Sequence, residues 1–256
     1  MLIDTHCHLD DDKIFQNAED IISQFESYNV EKVIDAGSSF ESSKRAVELA
    51  NKFDKVYATV GIHPEEAGDY SNEVEDFIIE SAKNNKVVAV GEIGLDYYYE
   101  VCNRELQKKV FATQIELANY LKMPIVVHLR DAYQDMYNIL NDNKQKLGYG
   151  VVIHCYSGSK EMLSSYNKFD AFYSVGGAIT FKNYGKIDML QALPKDRLML
   201  ETDSPYLTPV PFRGKVNTPL NVGYVAKTLA EVRGLTEQEV IDLTNKNAKT
   251  IYSRMR

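Results

Sequence analysis

The sequence predicts a (β/α)8 barrel, and three observations carry that expectation. Eight short apolar runs alternate with longer amphipathic, charge-rich segments from end to end. The runs are mostly continuous Val/Ile/Leu/Ala stretches, as parallel strands covered on both faces require. The length of 256 residues suits one TIM barrel of about 250, taken as a single domain over 1–256 with no linker or low-complexity stretch.

In order, the strand-like runs are 2–5, 32–36, 56–60, 87–91, 125–128, 150–154, 171–175 and 197–201. Pro124 opens the fifth, where a missing N–H is harmless. Between the runs lie helical patterns. Residues 104–121 carry Leu106, Val110, Leu117 and Leu121 on one stripe, and Thr236-Glu-Gln-Glu239 is a capping box that opens a helix through Val240 and Leu243. An open doubly wound sheet is the alternative. It would want a Gly-x-Gly-x-x-Gly turn after an early strand, and the sequence has none.

Composition narrows the function classes. With 44% hydrophobic and 26% charged residues the chain has the balance of a globular protein, and no apolar run approaches the ~20 residues that span a bilayer. The first residues are acidic where a secretory signal is basic, so a cytoplasmic location is expected. Three cysteines (Cys7, Cys102, Cys155) are too few for a disulfide framework and suit a reduced compartment. The formal charge of −8, without a Lys/Arg tract, argues against tight non-specific binding of long nucleic acid. A phosphate held locally by metal ions and a few basic side chains stays open. Neither a membrane nor an obligate protein partner is implied.

Chemistry in such a barrel sits at the C-terminal ends of the strands. All five histidines fall there: His6 and His8 after the first run, His63 after the third, His128 and His154 closing the fifth and sixth. Glu92 follows the fourth run and Asp203 the eighth. Side chains two apart on a strand share a face, so His6 and His8 point together while Cys7 points away; Cys155, beside His154, is read the same way. Two imidazoles with carboxylates suit zinc, manganese or a similar divalent ion. The plain alternative is a histidine pair capping a strand end. An unpaired imidazole ending an apolar strand is costly, and two on adjacent strands favour ligation over core packing.

Glu92 could bridge two metals, although a lone Glu after a strand is more often solvated or a helix N-terminal charge. Asp203, on a strand closing against the first, is placed to touch a metal and accept a proton. Glu201, two residues earlier and on the same face, is either support behind a ligand or part of a buried ion pair. His63 lies too far around the barrel for the same metal pair, so it is expected at the substrate. Arg130 shares the face of His128 and could clamp a phosphate or carboxylate in bidentate fashion. Either residue could instead stabilise a loop. Tyr97, Tyr98 and Tyr99 either stack on a base or pack the loop.

These motifs resemble the TatD-type deoxyribonucleases, metal-dependent hydrolases related to the amidohydrolase barrels. The resemblance rests on Asp-Thr-His-Cys-His-Leu-Asp (4–10), Gly-Ile-His-Pro (61–64), Gly-Glu-Ile-Gly-Leu-Asp-Tyr (91–97), His-Leu-Arg (128–130) and His-Cys-Tyr-Ser-Gly (154–158). It continues through Glu-Thr-Asp-Ser-Pro-Tyr-Leu (201–207) and Arg-Gly-Lys (213–215). It implies a (β/α)8 barrel with two divalent metal ions (Zn, Mn or Mg) that hydrolyses DNA phosphodiesters, often from the 3′ end. His6, His8 and Asp203 would hold one ion and His128 and His154 the other, with Glu92 bridging. Asp203 and Glu92 would be the catalytic carboxylates. His63, Arg130, Arg213 and Asn217 would meet the DNA or another phosphate-containing substrate. Where the family commonly has Asn-Glu-Pro, this chain has Asn217-Thr218-Pro219, which leaves any role of that Glu unfilled. Related amidohydrolases bridge their metals with a carboxylated lysine, and no lysine occupies the Glu92 position. Hydrolysis of another bond (ester, amide or an aminoacyl linkage to RNA) is the second expectation. A non-catalytic metal-binding barrel is the third, and it would need a ligand lost.

Overall fold

The computed structural model describes residues 1–99 and 101–255. Its strands are β1 (Leu2–Cys7), β2 (Val30–Ala36), β3 (Val56–Val60), β4 (Val87–Asp96), β5 (Ile125–Arg130), β6 (Val151–Ile153), β7 (Phe172–Val175) and β8 (Leu198–Leu200). They pair in parallel and in sequence order, β1 through β8, in one sheet. Helices pack outside: α1 (Ala18–Ser23), α2 (Phe40–Lys52), α3 (Asn72–Ser81), α4 (Arg104–Leu121), α5 (Tyr133–Asp142), α6 (Lys160–Tyr166), α7 (Ile187–Ala192), α8 (Val222–Arg233) and α9 (Glu237–Ile251). The TIM barrel expected from the sequence is the fold observed. Among the described residues, no helix is long and apolar enough to cross a membrane.

Local chemistry explains several boundaries. Ser39, Ser71, Asn103 and Ser159 each accept a backbone N–H at the start of a helix, and Thr236 with Glu239 forms the expected capping box. Each cap satisfies donors that the first helical turn leaves orphaned. α4 has the predicted bounds, yet Leu106 is 37% exposed, so the buried stripe starts instead with Gln107 and Val110.

Two apolar clusters hold the barrel. One fills its interior: Ile3, Ile34, Tyr57, Val88, Val126, Val152, Phe172 and Met199 supply a residue from every strand. Ala248 and Ile251 of α9, with Tyr252 and Met255 just beyond, close the same cluster. The larger cluster lies between strands and helices. The two faces of each strand are therefore both buried, and this is why the runs read as continuous rather than alternating.

β8 meets β1 through loop and side-chain bonds. The Asp203 N–H donates to the His6 carbonyl (3.0 Å) and the His8 N–H to that of Ser204 (2.7 Å). Thr5 Oγ1 donates to Leu200 O at 2.8 Å. Buried Asp4 accepts from Thr202, at Oδ1 from its N–H (3.0 Å) and at Oδ2 from its hydroxyl (2.6 Å). These bonds set the 201–204 segment beside the end of β1.

Two strand ends differ from the sequence reading. β4 runs to Asp96, so Glu92 lies within the strand rather than after it. The extension needs Gly94, whose φ is 142° and whose Cβ would meet the His128 carbonyl oxygen at 2.1 Å. β8 ends at Leu200, so Glu201 and Asp203 lie beyond it and strand alternation does not relate them. Asp203 has φ 53°, a left-handed conformation unusual for a non-glycine residue.

Candidate metal centre

Glu92 is the hub of the strand-end cluster. Its Oε2 faces His6 Nε2 at 3.4 Å and His8 Nε2 at 3.6 Å. Its Oε1 faces His128 Nδ1 at 2.7 Å and His154 Nε2 at 2.8 Å. Asp203 Oδ1 closes the first side, 3.5 Å from His8 Nε2 and 3.8 Å from His6 Nε2. All six residues expected as ligands thus converge, with Glu92 3% and Asp203 16% exposed at the side chain. Asp203 and, across the cluster, His128 are the most exposed of the six, at 16% and 17% of the side chain.

Neighbouring groups orient the rings. His8 Nδ1 lies 2.8 Å from the Ala36 carbonyl, which can only accept, so Nε2 is left facing the cluster. His154 Nδ1 faces Glu201 Oε1 at 3.6 Å, and the other Glu201 oxygen accepts the Ser174 hydroxyl. Glu201 therefore stands behind His154, on the side of the ring away from Glu92. The His6 ring stacks on His154 with centroids 3.9 Å apart.

Electrostatics follow from this crowding. Burial alone would raise the Glu92 carboxyl, but His154, His6, His63 and His128 around it hold it well below the ordinary carboxylate range. Burial opposes charging His8, yet Asp203, Glu92 and Asp10 raise it to about 10. Burial likewise opposes charging His154 and His128, but Glu92 and Glu201 lift the first, and Asp96 and Glu92 the second. His6 goes the other way, lowered by burial and by His154. Imidazole nitrogens stand 3.2 Å apart between His6 and His8 and 3.3 Å apart between His154 and His128, with the ionised Glu92 between the pairs and Asp203 beside the first. That donor set fits a divalent metal: its positive charge replaces the protons that otherwise hold these groups together.

His63 corrects the sequence reading. Its Nε2 is 3.7 Å from Glu92 Oε1, and its ring centroid is 4.3 Å from that of His128, so it stands next to the cluster rather than far around the barrel. Glu92 reaches across to the neighbouring β3 end, where Gln114 of α4 pins the loop by bonding the N–H and C=O of Ile62. Its Nδ1 accepts the Glu65 N–H at 3.2 Å, which leaves the ring hydrogen on Nε2. Burial and His128 hold its pKa at about 3, so it is a neutral donor aimed at the cluster.

The remaining predicted residues divide. Arg130 ends β5, with its guanidinium stacked 3.8 Å over the Tyr98 ring and 4.6 Å over Tyr99. Of the three tyrosines, Tyr98 and Tyr99 are exposed, whereas the Tyr97 hydroxyl is committed to Asp135 at 2.6 Å. Arg213 is exposed and stacks on Phe181 at 3.8 Å. Asn217 is corrected: it is fully buried, and its amide donates to Thr202 O (3.1 Å) and Tyr206 O (2.7 Å). Its carbonyl accepts from Thr218 and Asn221. Asn217 braces the loop that carries Asp203, and its side chain has no hydrogen-bonding group left for substrate. Cys7 turns away, its thiol donating to the Ile34 carbonyl, but Cys155 does not. Cys155 lies past the end of β6 with φ 44°, and burial with the Glu201 and Asp203 carboxylates drives its thiol pKa well up. Sequence reasoning passed over Asp96, which bonds His128 Nε2 at 2.9 Å. Its place at the end of Gly-Glu-Ile-Gly-Leu-Asp, four residues after Glu92, was the available signal.

A parallel barrel with a His/Glu/Asp cluster at the C-terminal mouth of its strands defines the class of metal-dependent hydrolase barrels. The family model described as TatD related DNase matches residues 3–253, and the chain belongs to that family. It is 39% identical to the uncharacterized metal-dependent hydrolase YabD of Bacillus subtilis, over 98% of this chain and 99% of that one. It is 32% identical to the uncharacterized metal-dependent hydrolase YcfH of Escherichia coli K12, over 98% and 95%. Among solved structures it is similar to the TatD homologue YJJV of Escherichia coli K12, with a TM-score of 0.91 and 28% identity, covering 98% of each chain.

Proposed function

We propose that this metal-dependent hydrolase is a deoxyribonuclease that cleaves phosphodiester bonds at DNA ends, 3′-exonuclease-like, with two divalent ions. One observation carries the reading: Glu92 divides its oxygens, Oε2 toward His6 and His8 and Oε1 toward His128 and His154. A carboxylate so divided suits a bridge between two ions, the first completed by Asp203. When bound, the ions supply Lewis-acid activation of the phosphoryl group and of the attacking water.

The chain's own residues do the rest. Asp203 takes the proton from the attacking water; burial raises its carboxyl, but the hydrogen bond from His8 and the charges of His154 and His6 outweigh this and keep it ionised. The Nε2–H of His63 donates to a non-bridging phosphoryl oxygen, a contact that strengthens as negative charge builds there. Arg130, with its faces against the tyrosines, offers its N–H edge to the phosphate. Arg213 on Phe181 adds a second cation farther out. The net charge of −8 favours a few nucleotides at an end over a gripped duplex.

The test is an assay of metal-reconstituted chain on end-labelled single-stranded DNA beside Asp203→Ala. Wild-type cleavage that the substitution abolishes supports the reading. Equal cleavage by both proteins, or activity on aminoacyl or amide substrates with none on DNA, overturns it.

A further inference from the structure

The Asp96 carboxylate touches both halves of the candidate site, and the mechanism above gives it no task. It is the last residue of β4 and 1% exposed. Oδ2 lies 2.9 Å from His128 Nε2, on the side of the ring away from Glu92, while His128 Nδ1 is 2.7 Å from Glu92 Oε1. Oδ1 accepts two backbone N–H groups, Tyr98 at 2.8 Å and Tyr99 at 3.1 Å. Gln107 of α4 anchors the Asp96 backbone from both directions, accepting its N–H and donating to its carbonyl, each at 2.9 Å. The rings of Tyr98 and Tyr99 carry the Arg130 guanidinium, and Arg130 is the register partner of Asp96 across β4 and β5.

We infer that Asp96 is a positioning residue for both parts: it sets the His128 imidazole with Nδ1 turned to the metal side, and it holds the Tyr98–Tyr99 turn on which Arg130 rests. The inference builds on the two-ion reading above. A carboxylate only accepts, so the hydrogen between Asp96 and His128 belongs to Nε2. A neutral His128 then has its lone pair on Nδ1, the atom facing Glu92. This is the arrangement in which a carboxylate behind a histidine fixes its tautomer and strengthens it as a ligand.

Asn in place of Asp96 keeps the shape and reverses one polarity. With its oxygen toward the Tyr98 and Tyr99 amides, its NH2 meets His128 Nε2 and demands the other tautomer, whose Nδ1–H cannot ligate. Turned over, the NH2 meets two backbone donors. With His128 in its ligating tautomer, either orientation opposes a donor to a donor, an expensive contact when buried.

The experiment compares wild-type chain with Asp96→Asn, His128→Ala, His8→Ala and Arg130→Ala by calorimetric titration with Mn²⁺, by melting temperature, and by kcat and KM on a short DNA end. Asp96→Asn is expected to weaken roughly 10–100-fold the ion that His128→Ala abolishes. It should leave at wild-type affinity the ion that His8→Ala abolishes. At saturating Mn²⁺ it should retain a raised KM, as Arg130→Ala does with both ions in place. Wild-type affinity for both ions in Asp96→Asn overturns the inference, and so does equal weakening of both with a lowered melting temperature, which marks a merely structural residue. Metal affinity is read without DNA, so a wild-type chain that binds Mn²⁺ but cleaves no DNA removes the nuclease reading alone.

Discussion

The Nδ1–H of His8 donates to the carbonyl oxygen of Ala36 at 2.8 Å, from the end of the first strand to the end of the second. The ring is thereby fixed with Nε2 3.5 Å from Asp203 and 3.6 Å from Glu92. His8→Ala should bind one divalent ion fewer per chain while retaining the ion between His128 and His154. Activity should fall by at least about 100-fold, the upper end for losses of even supporting groups. Elemental analysis after dialysis checks this, and full metal content in the variant would remove His8 from the ligand set.

Metal uptake should release protons. His8 in the metal-free chain is raised from 6.5 to about 10, so an ion arriving at Nε2 near neutral pH displaces a proton. Apparent affinity should therefore rise with pH up to about 10 and weaken toward acid. The folded-state pKa is above the unfolded one, so the contribution of His8 to the metal-free fold is fully present below pH 6.5 and is lost as pH rises through about 10. Melts of chelator-treated chain should show that decline, and the metal-loaded chain should not. An affinity that stays flat between about pH 6 and 9 would contradict the linkage.

His63 separates a donor from a ligand. With Glu65 occupying Nδ1 and a pKa near 3, its Nε2–H is present throughout the working range. His63→Ala should keep full metal content and lose roughly 10²–10³ in kcat, the usual loss when one preorganised donor to a developing oxyanion is removed. Loss of an ion instead would make His63 a ligand.

Asn217 should matter through the fold. Asn217→Ala leaves the buried Thr202 carbonyl without its amide donor, at a cost of about 1–3 kcal/mol, and removes the part-buried bond to the Tyr206 carbonyl. Urea denaturation should report that loss. kcat should fall with it as Asp203 loses its brace, while KM stays near wild type. A raised KM with unchanged stability would restore Asn217 to the substrate.

The barrel and the six converging residues were legible because both depend on local, periodic information. Continuous apolar runs record strands covered on two faces, and polar residues that interrupt them at their C-terminal ends record the mouth. His6 and His8 needed only the two-residue period of a strand. That period failed where the chain leaves the strand: Cys155 and Asp203 have positive φ, so alternation does not predict where their side chains turn.

What the sequence determined by itself, then, is the barrel, its family and the residues that can meet at its mouth, since patterning and spacing are properties of the chain. Tertiary structure alone decided which atom of each residue faces which. Hydrogen bonds from distant segments choose which nitrogen of His8 faces the cluster and occupy the side-chain amide of Asn217, and the fold puts the His63 ring beside Glu92. The same kind of bond sets Asp96 behind His128. Tautomer and orientation belong to partners that the sequence keeps far apart and only folding brings within 3 Å.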